Sequence, residues 1–357
     1  MNSRDEKGFI PLHWASRYGH VDIAQLLLDR GSDVNTRESG IWTPLHSASR
    51  HGYLDVARLL IDRGADVNAH KNECQTPLHF ASAFGYLDIA KLLVEQGANV
   101  DSQNDKGETP LDRAAVFGYL DIARFLIESG AAVSSRDING WTPFHIASYF
   151  GHLHITKLLL QCGTDIDIRN GSEETSLFVA SAAGELDVAH FLIEHGADIY
   201  AIDDMGRNPL HIASQNGHLD VVRMLINAGI AVDIRDSTPM TPLALASGEG
   251  EVDVGRIIEG GANINVRDNE GCAPLHFASV HGHLDMAQLL LDHGIDPNIH
   301  RDDLCSPLHL VSANGHLKIA ELLLRRSASV NVFNEKQETP SLGSRHSMSL
   351  FGIGIGV

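Results

Sequence analysis

The chain has 357 residues, 43% apolar and 20% charged, a composition that indicates a folded protein. Its formal net charge is −19, with Lys+Arg 27 against Asp+Glu 46, which argues against sequence-independent nucleic-acid binding because that needs a cationic surface. Cys74, Cys162, Cys272 and Cys305 form no C-x-x-C pair, so neither a zinc site nor a disulfide framework is expected; free thiols point to a reducing compartment, cytoplasmic or nuclear. No apolar run approaches the ~18 residues of a membrane span, and MNSRDEKGFI lacks the apolar centre of a secretion signal.

The first predicted element opens at Pro11, and the same pattern returns 33 residues later at Pro44, then at Pro77, Pro110, Pro143, Ser176, Pro209 and Pro242. One step, to Pro274, is 32 residues; Pro307 and Pro340 follow. Each unit begins with a short helix. Thr142 caps one such helix, Pro143 occupies its first position, and His145 stands where a capping box usually has Glu or Gln. Gly151 stops it in a left-handed conformation. A second helix follows, as in LDIAKLLV at 87–94, with Asp88 favouring the positive end of the helix dipole. Asn99 to Glu108 then turns back as an exposed hairpin-like loop, with Gly107 at the tight point.

The recurring T-P-L-H-x-A at 43–48 and 76–81, with its near matches T-P-F-H-I-A at 142–147 and S-P-L-H-L-V at 306–311, resembles the ankyrin-repeat family. That resemblance implies an all-α repeat solenoid of stacked helix-turn-helix units with hairpin-like loops. It implies one solenoid domain over 1–340, ten repeats with the eighth one residue short, and a non-repeat tail at 341–357. It also implies a non-enzymatic scaffold or adaptor that grips a partner protein on its concave face. The alternative is a regulatory or recognition array within a larger multidomain protein, of signalling or ubiquitin-ligase type.

Twenty-one histidines invite an enzyme reading, yet twelve of them fall in two template slots. His13, His46, His79, His145, His211, His276 and His309 take the capping slot, while His20, His152, His218, His283 and His316 follow the stopping glycine. Distributed one per repeat, they do not converge as metal ligands must. No phosphate loop, G-x-S-x-G elbow or H-E-x-x-H helix is present. No catalytic residue, metal, cofactor or small-molecule substrate is expected, and neither nucleic acid nor membrane is an expected partner.

Function is then expected where repeats differ. The slot before the stopping glycine reads Tyr18, His51, Phe84, Phe117 and Phe150 in the first five repeats, and becomes Ala183, Asn216, Glu249, His281 and Asn314 afterwards. Tyr149 widens this aromatic row, and Trp42 and Trp141 stand just before capping threonines. Exposed aromatics anchor interfaces, but gap-filling between first helices explains the row equally well. Arg37, Arg136, Arg169, Arg235 and Arg267 share a loop slot, which suggests an acidic stripe on a partner; the simpler account pairs arginine with the aspartate that follows it, as in Arg136–Asp137 and Arg235–Asp236. The family resemblance makes Asn35 and Asn68 candidates for asparaginyl hydroxylation, each with a leucine eight residues upstream, Leu27 and Leu60.

Repeats four, six and eight replace the capping histidine by Asp112, Phe178 and Ala244. In repeat eight the missing residue predicts a rotation of about 100° in everything beyond it. With Gly255 in place of the usual alanine or valine, a weak joint is expected at 250–262.

Overall fold

The computed structural model describes residues 9–37, 42–70 and 74–340; the tail predicted at 341–357 lies outside the described residues. The architecture is the all-α repeat solenoid that the 33-residue period predicts. Ten helix pairs follow one another among the described residues, and an isolated β-bridge joins Arg169 to Thr175.

The chain divides at Ser176–Leu177 into two compact units. The first holds five pairs: Pro11–Tyr18 with Val21–Asp29, Pro44–His51 with Leu54–Asp62, Pro77–Ala83 with Leu87–Glu95, Pro110–Phe117 with Leu120–Glu128, and Pro143–Tyr149 with Leu153–Gln161. Here each first helix packs on the first helix of the next repeat, so equivalent slots line up in rows. Each pair buries a leucine at the second helical position and an alanine three residues on, as with Leu45 and Ala48, Leu78 and Ala81, and Leu111 and Ala114, all 0% exposed except by rounding. Phe144 fills the leucine slot in repeat five and is fully buried. The second unit repeats this plan, with a continuous apolar core running from Leu210 through Leu243 and Leu275 to Leu323.

The capping slot works through one tautomer. Thr43 N–H and the Thr43 hydroxyl approach His46 Nδ1 at 3.3 and 2.8 Å, while His46 Nε2 lies 3.1 Å from the Gln75 carbonyl. A carbonyl oxygen only accepts, so Nε2 carries the proton and Nδ1 is left to accept from the threonine. The imidazoles of His13, His46, His79, His145, His211 and His309 thereby cap their own helices and bond to the start of the next repeat, whereas His276 caps its helix with Nε2 buried and unbonded among the described residues. Asp112 keeps the first half of this arrangement: Thr109 N–H and hydroxyl donate to Oδ2 at 2.7 and 2.8 Å. A short carboxylate has no second donor arm to extend onward.

The residue after the stopping glycine also has a place. Gly118 has φ +77°, and the His152 ring from the following repeat lies against it, with Nε2 3.0 Å from the Val116 carbonyl. Tyr86 and Tyr119 lie on Gly52 and Gly85 in the same way. The histidines and tyrosines of this slot are therefore covers for the neighbouring repeat's helix end.

Repeat eight departs from its predicted geometry. Its second helix begins as an α-helix at Val252–Gly255 and continues as a 3-10 helix at Arg256–Gly260, ending at left-handed Gly261. At about 120° per residue, these five residues turn as far as about six α-helical ones at about 100° each, and they rise slightly farther, about 10 Å against about 9 Å. Tighter winding thus absorbs the missing residue, and the rotation of about 100° does not occur. Gly255 has its own reason: a Cβ there would run into Leu289 Cδ2 and come within 3.2 Å of Met286 Sδ.

Candidate protein-interaction surface

In the first unit the C-terminal ends of the first helices carry a row of exposed rings. Tyr18 is 54% exposed, Phe84 40%, Phe117 46%, Tyr149 40% and Phe150 46%. A ring whose role was to fill a gap between helices would be far less accessible. Packing of successive repeats puts their first helices side by side, so these rings stand at equivalent places on neighbouring helices. His51 occupies the same slot, half-buried, with Nδ1 2.9 Å from the Ser47 carbonyl.

Trp42 and Trp141 are half-buried beside the row. The Trp42 ring lies 5.0 Å from Phe80, across a repeat boundary. Trp141 meets Tyr149 edge-on at 5.5 Å, and Tyr149 meets Phe150 edge-on at 5.2 Å, so these three form one cluster. Both tryptophans combine packing on one side with an accessible edge on the other.

The structure adds residues that the sequence reading passed over. Phe9, Trp14, Phe80, Arg17, Arg50 and Arg113 belong to the same face. Trp14 stacks on Tyr18 at 5.8 Å and meets Phe9 at 5.0 Å. Arg50 lies over Trp42 and Phe84, at 5.8 and 5.3 Å to the ring centres, and Arg113 over Phe117 at 5.3 Å. The available signal was positional: the slot three residues after the proline holds Trp14 and Phe80, and the slot six after holds Arg17, Arg50 and Tyr149.

The loop arginines require a correction. Arg136 does not pair with Asp137. Its Nη1 donates to the carbonyls of Gly140 at 2.9 Å and Arg169 at 2.7 Å, the latter in the next repeat. Asp137 Oδ1 instead accepts from Asn139 N–H and Trp141 N–H, closing its own turn. Asp236 does the same with Thr238 and Met240. A short carboxylate beside a turn reaches amides two and four residues on, whereas a long guanidinium crosses to the neighbouring loop. Arg169 turns to the Glu173 carbonyl at 3.0 Å and its carboxylate at 3.6 Å, and Arg37 is exposed at the corresponding place.

Asn35 is exposed and Asn68 half-buried, and each amide joins two repeats. Asn35 Nδ2 donates to the Gly64 carbonyl at 3.0 Å while its Oδ1 accepts from Asp66 N–H at 2.8 Å. Asn68 does the same with Gly97 and Asn99.

Burial pushes the His79 and His145 imidazoles down to about 4, against the opposing pull of the carbonyls they meet. Burial pushes the Asp112 carboxyl up to about 7, despite the bonds from Thr109. These perturbed groups lie in the helix caps, away from the exposed rings. Among the described residues, no group of three His, Cys, Asp or Glu side chains is placed to hold a metal ion. No helix of the described residues is long and apolar enough to cross a membrane.

Capped helix pairs at a 33-residue period, crossed by amide and imidazole staples, define a repeat protein whose variable surface lies on its helix ends and loop tips. A sequence model of ankyrin repeats, in three copies, matches residues 1–71, 68–137, 132–203, 177–268, 231–301 and 254–334. The chain belongs to the ankyrin-repeat family. Over 37 residues it is 46% identical to an ankyrin repeat-containing protein of Schizosaccharomyces pombe, a match that covers 10% of this chain and 18% of that protein's length. Ankyrin repeats are generally protein–protein interaction modules, and the family is typically non-enzymatic.

Proposed function

We propose that this chain is a non-enzymatic scaffold or adaptor that binds a partner protein through the aromatic face of residues 9–176. The observation that carries this reading is the exposure of Tyr18, Phe84, Phe117, Tyr149 and Phe150 at equivalent helix ends. Aromatic side chains supply large contact area with little conformational entropy to lose, which is why they dominate binding energy at interfaces. Trp42, Trp141 and His51 border this face, and Arg37, Arg136 and Arg169 extend it along the loops. The four cysteines are free, which favours a reducing compartment, cytoplasmic or nuclear.

The test is affinity capture from native lysate with the wild type and with a Phe84→Ala, Phe117→Ala, Phe150→Ala variant. A captured protein that the folded variant no longer retains supports the reading. An unchanged set of captured proteins with a folded variant removes it. Asn35 and Asn68 belong to the same loops as candidate hydroxylation sites, and a mass increase of one oxygen on the peptides containing them is the corresponding readout.

A further inference from the structure

Several arginines of this chain lie over aromatic rings, but they differ in what balances their charge. Arg113, over Phe117, pairs with Glu108 at 3.3 Å. Arg207, over Phe178, pairs with Asp203 at 2.7 Å. Arg17 lies 5.6 Å over Trp14, and Arg50 lies over Trp42 and Phe84, yet neither has a carboxylate within ion-pair distance among the described residues. Other arginines such as Arg136 also lack a carboxylate, but among the described residues Arg17 and Arg50 combine that with a place over a ring face, which sets them apart from Arg113 and Arg207.

Both line one cleft of about 240 Å³, together with Phe9, Trp42, Ser47 and His51. A basic residue in the last turn of a helix is favoured by the helix dipole. That reason does not single out these two, because the first helices Pro77–Ala83, Pro110–Phe117 and Pro143–Tyr149 carry no basic residue in their last turns. The arginines are confined to the repeats that form the cleft.

We propose that this cleft receives an aspartate or glutamate side chain from a linear segment of the partner, with a neighbouring apolar side chain of that segment lying on Phe9 and Trp42. The inference rests on the protein-binding reading above and names the chemistry of its anchor. Planar guanidinium groups held on ring faces match a carboxylate in a bidentate fashion. A phosphate group is the competing anion, and the experiment separates the two. His51 Nδ1 lies 2.9 Å from the Ser47 carbonyl and donates to it, so this nitrogen is committed within its own helix.

The experiment pans a phage-displayed library of random dodecapeptides against the full chain and measures synthetic versions of the enriched peptides by fluorescence anisotropy. Enriched peptides are expected to carry Asp or Glu beside an aliphatic or aromatic residue. Exchanging that acid for its amide, or Arg17→Gln together with Arg50→Gln in the protein, is expected to weaken binding about tenfold, the size of a lost charge-assisted hydrogen bond. Circular dichroism of the double variant checks that it is folded, and Arg50→Lys should retain part of the affinity. Peptides without an acidic bias overturn the inference, as does tighter binding when phosphoserine replaces the acid. Binding indifferent to both arginines but lost in Phe117→Ala with Phe150→Ala sinks the cleft and leaves the aromatic face standing. Indifference to all four substitutions, or a library that enriches nothing, counts against both.

Discussion

His79 Nε2 lies 3.0 Å from the Glu108 carbonyl oxygen, 29 residues along the chain, so one imidazole closes the cap of its own helix and bonds to the residue before the next cap. Burial holds this ring's pKa at about 4, against about 6.5 for a free histidine. His145 and His276 are held down to the same value by burial. Between pH 6.5 and 4 the unfolded chain therefore binds more protons than the folded one. The stability these rings contribute is fully present above about pH 6.5 and is lost as pH falls through that window. Urea denaturation across it should show a falling midpoint. His79→Gln should flatten the slope while lowering stability at pH 7 by about 1–3 kcal/mol. A midpoint unmoved between pH 6.5 and 4 contradicts the account.

Asp112 contributes with the opposite sign. Its folded pKa of about 7 lies above the unfolded 3.8, so what the protonated carboxyl contributes is present below pH 3.8 and lost as pH rises toward 7. Its Oδ1 is buried without a hydrogen-bond partner, which makes the charged form costly. Asp112→Asn should stabilise the protein by about 1–2 kcal/mol at pH 8, with little effect at pH 4. Thermal unfolding of both proteins at the two pH values decides it; equal melting temperatures at pH 8 would dismiss a buried carboxylate.

Gly118→Ala should be among the more damaging single-methyl additions in the first unit. The residue has φ +77°, where a side chain costs about 1–2 kcal/mol, and the new Cβ would sit 2.6 Å from His152 Cε1. A loss of about 2 kcal/mol or more in denaturant unfolding is expected. In a His152→Ala background, which already lacks the bond to Val116, Gly118→Ala should cost less than in the wild type, since the steric conflict is gone and the backbone strain remains.

The aromatic row should be dispensable for folding. Phe84, Phe117 and Phe150 are each at least 40% exposed, so replacing all three by alanine removes mainly surface that water already touches. The triple variant should keep a native far-ultraviolet spectrum and a cooperative melt. Unfolding at room temperature would place the rings in the core after all.

The eighth repeat is the place to look for early opening. A 3-10 helix has poorer hydrogen-bond geometry than an α-helix, and glycines stand at 255, 260 and 261. Hydrogen exchange followed by mass spectrometry should show amides of 252–260 exchanging before those of Leu219–Asn227 and Leu284–Asp292. Equal protection in all three removes the weak joint. Gly255→Ala is not expected to help despite its better helix propensity, because Leu289 occupies the space.

The helices were readable because their signals are local. Thr142, Pro143 and Gly151 each act on the backbone within a turn, and the structure has them capping, starting and stopping as the sequence implies. Contacts between repeats were less readable, for a physical reason. His79 was recognised as a capping residue, but its bond to Glu108 depends on where a neighbouring loop comes to rest. Arg136 was read against Asp137 because they are adjacent in sequence, whereas a guanidinium reaches farther than one residue. The missing residue of repeat eight is plain in the spacing, but its consequence is not, since a helix can change its winding as well as its phase. Of the exposed face, the slot before the stopping glycine was found from its run of aromatics. Trp14, Arg17 and Arg50 are harder to see because they belong to slots of mixed composition, most of which hold small or aliphatic residues in other repeats.

The rings that lie on Gly52, Gly85 and Gly118 come from Tyr86, Tyr119 and His152, each 34 residues downstream. The unit that repeats in the sequence is therefore not the unit that can be exchanged. A repeat transplanted between two positions carries its glycine but leaves the matching cover behind, and brings a cover suited to a different neighbour. Modularity here has a direction: every repeat is finished by its successor. Gly315, with nothing near the place of its missing side chain, is where that dependence stops among the described residues.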